Sequence, residues 1–338
     1  MRDYSLYVGI DVAAESVSSQ WLDKHGATSE VLCFAQNRPG WKKLLRWLAK
    51  AGYQPEETLV VMEATGVYWM GLAQVLHQAG YQVSVVNPAA VRHFARSLLQ
   101  RGKTDPLDTR LLAQYAARYQ PTPWTPPPQV YEELRQRLTQ RDSLIQMRQQ
   151  ERNRLAALRR VPGTLKDILA RTRRHIDYLD HHIKTLDTDI QLALRSDPDW
   201  AASAARLRSV KGFGPVTVAW LLVATCNFTS CLSPTQLAAY AGLVPFPFQS
   251  GSSVFHRASI GHAGHARLRA ALYMAALSAR TFNPAIKTFY DRLIAHGKPV
   301  KVALCACARK LIHIAWALVT KQQVFDPDFV SHQVPVLA

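Results

Sequence analysis

Four acidic residues have the types and positions expected of a site that binds divalent cations: Asp11, Glu63, Asp105 and Asp108. Asp11 and Glu63 each end an apolar run, so both are predicted to lie at the ends of strands. Asp105 and Asp108 begin a helical pattern and share one helical turn. Carboxylate oxygens suit Mg²⁺, and two such ions about 3.5–4 Å apart can hold the attacking and leaving oxygens of a phosphodiester. The four residues therefore predict a site for two Mg²⁺ ions and phosphodiester chemistry.

The charge of the chain points to a polyanionic partner. Its 338 residues carry 41 Lys and Arg against 24 Asp and Glu, a formal net charge of +17. Residues 1–91 have a net charge of −1, residues 92–200 of +7 and residues 201–338 of +11. The N-terminal carboxylates are therefore not outnumbered by basic side chains. The rest of the chain supplies the basic side chains that can bind nucleic-acid phosphates.

The cysteines and the apolar segments indicate a cytoplasmic protein. The five cysteines form no CxxC pair and are odd in number, which argues against a disulfide framework or a zinc site. The N-terminus has no signal-peptide pattern, and the apolar stretch 216–226 is too short to cross a bilayer. We expect a cytoplasmic protein.

The first 120 residues predict an α/β domain. Three strands joined by short connections form an antiparallel meander, and alternating helices and strands follow it. This is the order of a ribonuclease H-like domain, in which sites form at strand ends. The predicted strands are 4–12, 16–22, 29–34, 58–63 and 81–86, and the predicted helical segments are 40–51, 66–79 and 88–119.

A helical region follows a stiff linker. Residues 121–128 are rich in proline, and an Arg/Gln-rich helix is predicted over 129–160, with a break at 161–163. The next helix carries apolar positions at alternating steps of three and four, which predicts either a coiled coil with a dimer seam or an intramolecular helix pair. The stripe consists of Leu169, Thr172, Ile176, Leu179, Ile183, Leu186 and Ile190. We expect this region to span residues 129–198.

Residues 199–330 are predicted to form a mostly helical domain with two functional segments. Residues 207–215 are similar to a helix-hairpin-helix turn, whose glycine amides can bind a phosphate without reading sequence. Residues 246–253 predict a polar, flexible loop that contains Ser250. A serine is a nucleophile only when it is activated, and most serines in such loops are turn residues, so the loop alone is weak evidence for catalysis.

Several short motifs, in order and spacing, resemble the DEDD transposases of bacterial insertion sequences, relatives of the Piv-type pilin-gene DNA invertases. The motifs cover nearly the whole chain, and they are specific in combination although each is weak alone. They are Gly9-Ile10-Asp11-Val12, Glu63-Ala64-Thr65-Gly66, Val86-Asn87-Pro88, Lys103-Thr104-Asp105-Pro106-Leu107-Asp108, Gly212-Phe213-Gly214-Pro215, Ala241-Gly242-Leu243-Val244-Pro245, Ser250-Gly251, and residues 264–269.

The resemblance implies a RuvC-like N-terminal domain, a coiled-coil middle and a C-terminal transposase domain. Asp11, Glu63, Asp105 and Asp108 match the family's acidic tetrad, and Ser250 best matches its nucleophilic serine, with Ser252 and Ser253 nearby. The resemblance also implies a structured guide RNA, called a bridge RNA, which pairs with donor and target double-stranded DNA, and a homodimer or tetramer. The family often has Asn where this chain has His265.

Three other functions fit part of the sequence. A metal-only nuclease or junction resolvase would use the four acids without Ser250, and Ser250→Ala separates the two mechanisms. A non-catalytic nucleic-acid-binding protein would bind tightly without Mg²⁺-dependent chemistry, but the intact acidic set argues against it. An actin-like or sugar-kinase-like ATPase would share the segment 9–11, but no later glycine-rich phosphate loop follows and the charge opposes it.

Overall fold

The chain divides into two compact units, Met1–Pro126 and Pro127–Ala338. The computed structural model describes residues 3–99, 105–230, 233–250, 254–261 and 263–326, and of 105–107, 247–250 and 254–258 it describes the backbone alone. Residues 100–104, which fall within the helical segments predicted over 88–119, lie outside the described residues, as do Ser252 and Ser253.

The first unit contains a five-stranded sheet. Its strands are β1 (Leu6–Val12), β2 (Ser16–Asp23), β3 (Leu32–Ala35), β4 (Thr58–Glu63) and β5 (Gln82–Val86). They lie in the order β3-β2-β1-β4-β5. The first three strands are antiparallel, as the sequence predicts, while β4 pairs in parallel with both β1 and β5.

Helices cover both faces of this sheet: α1 (Arg38–Lys50), α2 (Trp69–Gln78), α3 (Pro88–Ser97) and α4 (Asp105–Tyr119). The alternation of strand side chains divides the apolar residues into two cores. Val8 and Met62 face a core with α1 and α2, whereas Tyr7 and Val61 face a core with α3 and α4.

The third strand begins later than the sequence predicts, at Leu32 instead of residue 29. The hydroxyl of Ser29 accepts a hydrogen bond from the backbone amide of Trp21 at 3.1 Å, and the backbone amide of Ser29 donates to the Trp21 carbonyl. This side-chain bond replaces part of the ladder, so residues 29–31 form no regular strand.

The second unit is mostly helical. Its helices are α5 (Gln129–Leu158), α6 (Lys166–Ser196), α7 (Pro198–Arg208), α8 (Pro215–Thr225), α9 (Pro234–Tyr240), α10 (Ala266–Phe282), α11 (Pro284–Ala295) and α12 (Val300–Thr320). Helix α12 is long and apolar enough to cross a membrane. Eight of its residues are buried in the unit, however, and the core helix of a soluble protein has the same composition.

Helices α5 and α6 form an antiparallel pair within the chain. Arg141 pairs with Asp187 at 2.5 Å and Arg148 with Asp180 at 2.6 Å. A later residue of α5 thus pairs with an earlier residue of α6. Five residues of the predicted apolar stripe are buried: Thr172, Ile176, Leu179, Ile183 and Ile190. The intramolecular pairing is therefore observed, and a dimer seam stays a prediction.

Candidate active site

Asp11 and Glu63 lie beside each other on the two central strands. In the parallel pairing of β1 with β4, Ile10 is the partner of Met62, and the next residue of each strand is one of the acids. Neighbouring strands are about 4.8 Å apart. Both acidic side chains are half-buried. The sheet therefore brings these two predicted site residues together.

Both acids point to the face of the sheet that α4 covers. Side chains alternate along a strand, so Asp11 shares the face of Tyr7, and Glu63 shares that of Val61. Tyr7 and Val61 pack in the same apolar core as Leu112 of α4. The two carboxylates thus lie on this face, at the end of the sheet where β1 and β4 end.

Helix α4 crosses β1 at Gly9 and runs antiparallel to it. A Cβ atom on Gly9 would lie 2.0 Å from the carbonyl oxygen of Thr109, so glycine is required for this close approach. Near the other end of the helix, the amide of Gln120 donates to the hydroxyl of Tyr7 at 3.1 Å. Later helix residues therefore meet earlier strand residues, and the first turn of α4 lies toward the Asp11 end of β1.

The first turn of α4 carries the other two acids. Asp105 is the first residue of the helix, and its side chain lies outside the described residues. Asp108 is half-buried and directly precedes Thr109, which is fully buried. The backbone thus places the first turn of α4, which carries Asp105 and Asp108, toward the end of the sheet where Asp11 and Glu63 lie. The partial positive charge of a helix N-terminus favours carboxylates there.

The chemistry of this donor set fits a hard divalent cation, because all four members offer carboxylate oxygens. Among the described residues, no three His, Cys, Asp or Glu side chains form a group that could hold a metal ion. Asp105 is not among the side chains described. Since neighbouring carboxylates repel one another, a bound cation would be needed to draw the four together.

Ser18 is a neighbour of the acidic site that the sequence did not reveal. It is the antiparallel partner of Asp11 in the pairing of β1 with β2, and its side chain is half-buried. Directly paired residues of antiparallel strands project from the same face. In the sequence, the short connection between β1 and β2 indicates that the two strands pair. Which residue of β2 lies opposite Asp11 follows only from the register of that pairing.

Other polar residues in the segments that follow β4 and β5 make local hydrogen bonds or are exposed. The Asn87 side chain accepts a hydrogen bond from the Ala89 amide and caps α3. Arg92 Nε lies 3.5 Å from the carbonyl oxygen of Pro88. The backbone amide of Thr65 donates to the Glu63 carbonyl, and Tyr68 is exposed.

Ser250 ends a strand, so the prediction of a flexible loop over 246–253 is wrong for its first five residues. Strands β6 (Phe246–Ser250) and β7 (Val254–Ser259) form an antiparallel hairpin in which Ser250 pairs with Val254. Alternating Phe246 and Phe248 favour strand pairing over a loop. Ser250 thus adjoins the connection 251–253, and it belongs to the second unit while the four acids belong to the first.

Two glycines hold the exit of this hairpin against α9. A Cβ atom on Gly264 would lie 2.7 Å from the backbone nitrogen of Gly242, and Gly264 has a φ of +98°. The guanidinium of Arg269 donates to the Ala263 carbonyl at 2.9 Å. The backbone amide of His265 donates to the Tyr240 carbonyl at 2.7 Å. These contacts fix the position from which the Ser250 hairpin extends.

His265 caps α10. Its Nδ1 accepts a hydrogen bond from the Leu268 amide at 3.1 Å, and its ring packs against the rings of Trp220 and Tyr240. Asn is among the residues that most favour a helix N-cap. The side chain of His265 therefore supplies here the hydrogen bond that an Asn would supply.

Protonation of His265 is expected to destabilise the second unit. Burial lowers the pKa of His265 below its ordinary value of 6.5, because the charged imidazole loses hydration. The unfolded chain then binds the proton more tightly, so the contribution of His265 to stability is complete above about pH 6.5 and falls at lower pH. Urea unfolding measured at several pH values tests this dependence.

The matched variants are His265→Asn and His265→Ala. The Asn variant should keep the cap and lose this part of the pH dependence, while the Ala variant should lose about 1 kcal/mol of unfolding free energy at neutral pH. An unchanged pH dependence in His265→Asn would contradict the role assigned to the imidazole.

The predicted helix-hairpin-helix turn joins α7 to α8. Gly214 is the N-cap of α8 and Lys211 is exposed, while Phe213 is buried. Gly212 has a φ of +116° and packs against Ala279 of α10. The turn therefore has a buried base and an exposed side at the N-terminus of α8, and phosphate binding there stays a prediction.

Comparisons with known proteins identify both parts of the chain. Residues 8–160 match the family model of the DEDD transposases of the IS110 type, described as a transposase. Residues 204–291 match a second model, described as the transposase IS116/IS110/IS902 family.

Similar proteins align over almost the full length. The pilin gene-inverting protein of Moraxella bovis is 33% identical over 322 residues, which cover 95% of this chain and 97% of the relative. The transposase for insertion sequence element IS1328 of Yersinia enterocolitica is 26% identical over 94% of this chain and 98% of its own length. The chain therefore belongs to the family of DEDD transposases of the IS110 type.

Proposed function

We propose that this chain cuts and rejoins double-stranded DNA by attack of Ser250 on a phosphodiester, at a site that the four acids complete. The observation that carries the proposal is the placement of Asp11 and Glu63 on neighbouring parallel strands that face α4. The order β3-β2-β1-β4-β5 further supports a RuvC-like nuclease domain over residues 1–120.

The acidic tetrad would bind Mg²⁺. Asp11, Glu63, Asp105 and Asp108 offer oxygen ligands only, which suits Mg²⁺. When bound as two ions, the metal would neutralise charge on the cleaved phosphate and favour ionisation of the serine hydroxyl.

The covalent step conserves the energy of the phosphodiester. The Ser250 Oγ attacks phosphorus and forms a 5′-phosphoserine ester, the bond to the 3′ oxygen breaks, and a free 3′-OH leaves. The serine proton passes to a carboxylate of the tetrad, and the leaving oxygen takes up a proton. Attack of a 3′-OH from the other DNA end on the phosphoserine restores the serine and seals the strand, so ATP is not needed.

The similarity to pilin gene-inverting proteins supports rejoining as well as cutting, since an inverted segment must be sealed at both ends. Because Ser250 and the tetrad belong to different compact units, the site would be assembled, with a homodimer or tetramer as the natural form.

A structured guide RNA is the proposed source of sequence choice. The excess positive charge of residues 92–338 suits binding of RNA and DNA backbones without base reading. Base pairing would then select donor and target DNA, as in other RNA-guided systems.

Sequencing of RNA that co-purifies with the full chain tests guidance. The chain is expressed with the DNA that flanks its gene, and one discrete RNA from those flanks is expected. The same preparation of a chain expressed without the flanks is the control. If the flanks are transcribed and no RNA is enriched, guidance is wrong and direct reading of DNA by the protein is favoured.

A further inference from the structure

The positive charge of the α5–α6 pair is concentrated at its closed end. We call residues 152–174 the hairpin tip. It contains eight Lys or Arg side chains and one carboxylate, a net charge of +7. By contrast, residues 129–151 are balanced, and residues 175–196 have a net charge of −2. The two helices thus separate a nearly neutral stem from a strongly basic tip.

The stem uses its charges internally. Arg141 and Arg148 form ion pairs with acids of α6, and their side chains are only 17% and 24% exposed. Arg267 of α10 pairs with Asp142 at 3.2 Å. Val130 and Ile190 join the large core of the second unit. The stem is therefore fixed by packing and by ion pairs.

The tip has few such partners. In the described part of the chain, Arg154 pairs with Glu151 at 3.3 Å and Arg171 with Asp167 at 3.7 Å, and these arginine side chains are 68% and 74% exposed. Apart from Arg152, Arg154 and Arg171, the tip has five basic side chains, and none of the five takes part in an ion pair within the described residues. These are Arg159, Arg160, Lys166, Arg173 and Arg174, and all are exposed.

The connection at the tip has a defined form. The hydroxyl of Thr164 donates to the carbonyl oxygens of Leu158 at 2.8 Å and Val161 at 3.0 Å, which closes the end of α5. Gly163 has a φ of +79° at the turn. The basic side chains therefore project from two helix ends held by a short turn.

We propose that the hairpin tip binds the phosphate backbone of a nucleic-acid duplex, either DNA or a base-paired RNA stem. Clustered unpaired arginines bind phosphate with paired hydrogen bonds and displace condensed counterions. The balanced stem supports and spaces this surface. The inference rests on the proposed function only in that the ligand is a nucleic acid; it does not require the serine mechanism or guidance.

The test compares two full-length variants that lose equal charge. The tip variant combines Arg159→Gln, Arg160→Gln, Arg173→Gln and Arg174→Gln. The control combines Lys42→Gln, Lys43→Gln, Arg46→Gln and Lys50→Gln, exposed positions on α1. Binding to a DNA duplex and to an RNA duplex of the same length is measured from low to moderate salt without Mg²⁺, so that chemistry does not contribute. Thermal unfolding and size-exclusion profiles accompany the titrations.

The tip variant should bind at least one duplex about tenfold or more weakly, and the slope of log affinity against log salt should fall by up to about 3–4, roughly 0.9 per lost phosphate contact. The duplex that shows the loss identifies the ligand. Equal losses in the control, or an unchanged slope on both duplexes, would overturn the proposal. If the fourfold variant fails to fold, Arg159→Gln with Arg160→Gln should lower the slope by about half as much.

Discussion

Asp11→Asn and Glu63→Gln are each expected to lower DNA cleavage by about a thousandfold or more, equivalent to about 4 kcal/mol of transition-state stabilisation. The two carboxylates directly follow the paired residues Ile10 and Met62 of neighbouring strands and would share the same cations. Each substitution removes a negative ligand with little change in volume. Asp105→Asn and Asp108→Asn should have similar effects.

The measurement is single-turnover cleavage at several Mg²⁺ concentrations. Glu57→Gln is the matched control. Glu57 is exposed and directly precedes the first residue of β4, whereas Glu63 is the last residue of that strand. Wild-type and control protein should lose cleavage with a chelator and regain it with Mg²⁺. DNA binding in the tetrad variants should remain. Cleavage within about tenfold of wild type in Asp11→Asn or Glu63→Gln would exclude a shared metal site at this edge.

Ser250→Ala is expected to abolish strand exchange, with a loss of at least about a thousandfold, because no other group replaces a missing covalent nucleophile. Ser250 adjoins the connection of the β6–β7 hairpin, since it pairs with Val254. Removal of one hydroxyl there should leave DNA binding and the unfolding free energy nearly unchanged.

Ser252→Ala and Ser253→Ala are the matched controls for the choice of nucleophile. Both should retain strand exchange within about tenfold of wild type. If Ser250→Ala still exchanges strands, the metal-only nuclease becomes the better mechanism. If one of the neighbouring variants is inactive instead, the covalent mechanism holds with another serine.

Local sequence patterns predicted much of the first unit. Asp11 and Glu63 end apolar runs, and both runs form strands. The face toward which the two acids point was not accessible, because it depends on the pairing of Ile10 with Met62. Gly9 illustrates the same limit, since its close contact with Thr109 arises between segments distant in sequence.

The second unit was predicted less fully for related reasons. The break near Gly163 and the helices on either side of it follow from turn chemistry and periodicity. The strand pairing of Ser250 was missed because β6 is short and followed by polar residues. The capping role of His265 was missed because the geometry of the cap, and not the residue type, determines it.

The measurement that tests the central claim most directly is mapping of the covalent protein–DNA adduct. Wild-type protein is incubated with donor and target DNA, Mg²⁺ and the co-purified RNA, quenched with denaturant, and digested for mass spectrometry. The account predicts a 5′-phosphate nucleotide on the peptide that contains Ser250, absent in Ser250→Ala and in Asp11→Asn. Strand exchange with no adduct at any serine of the peptide would contradict it.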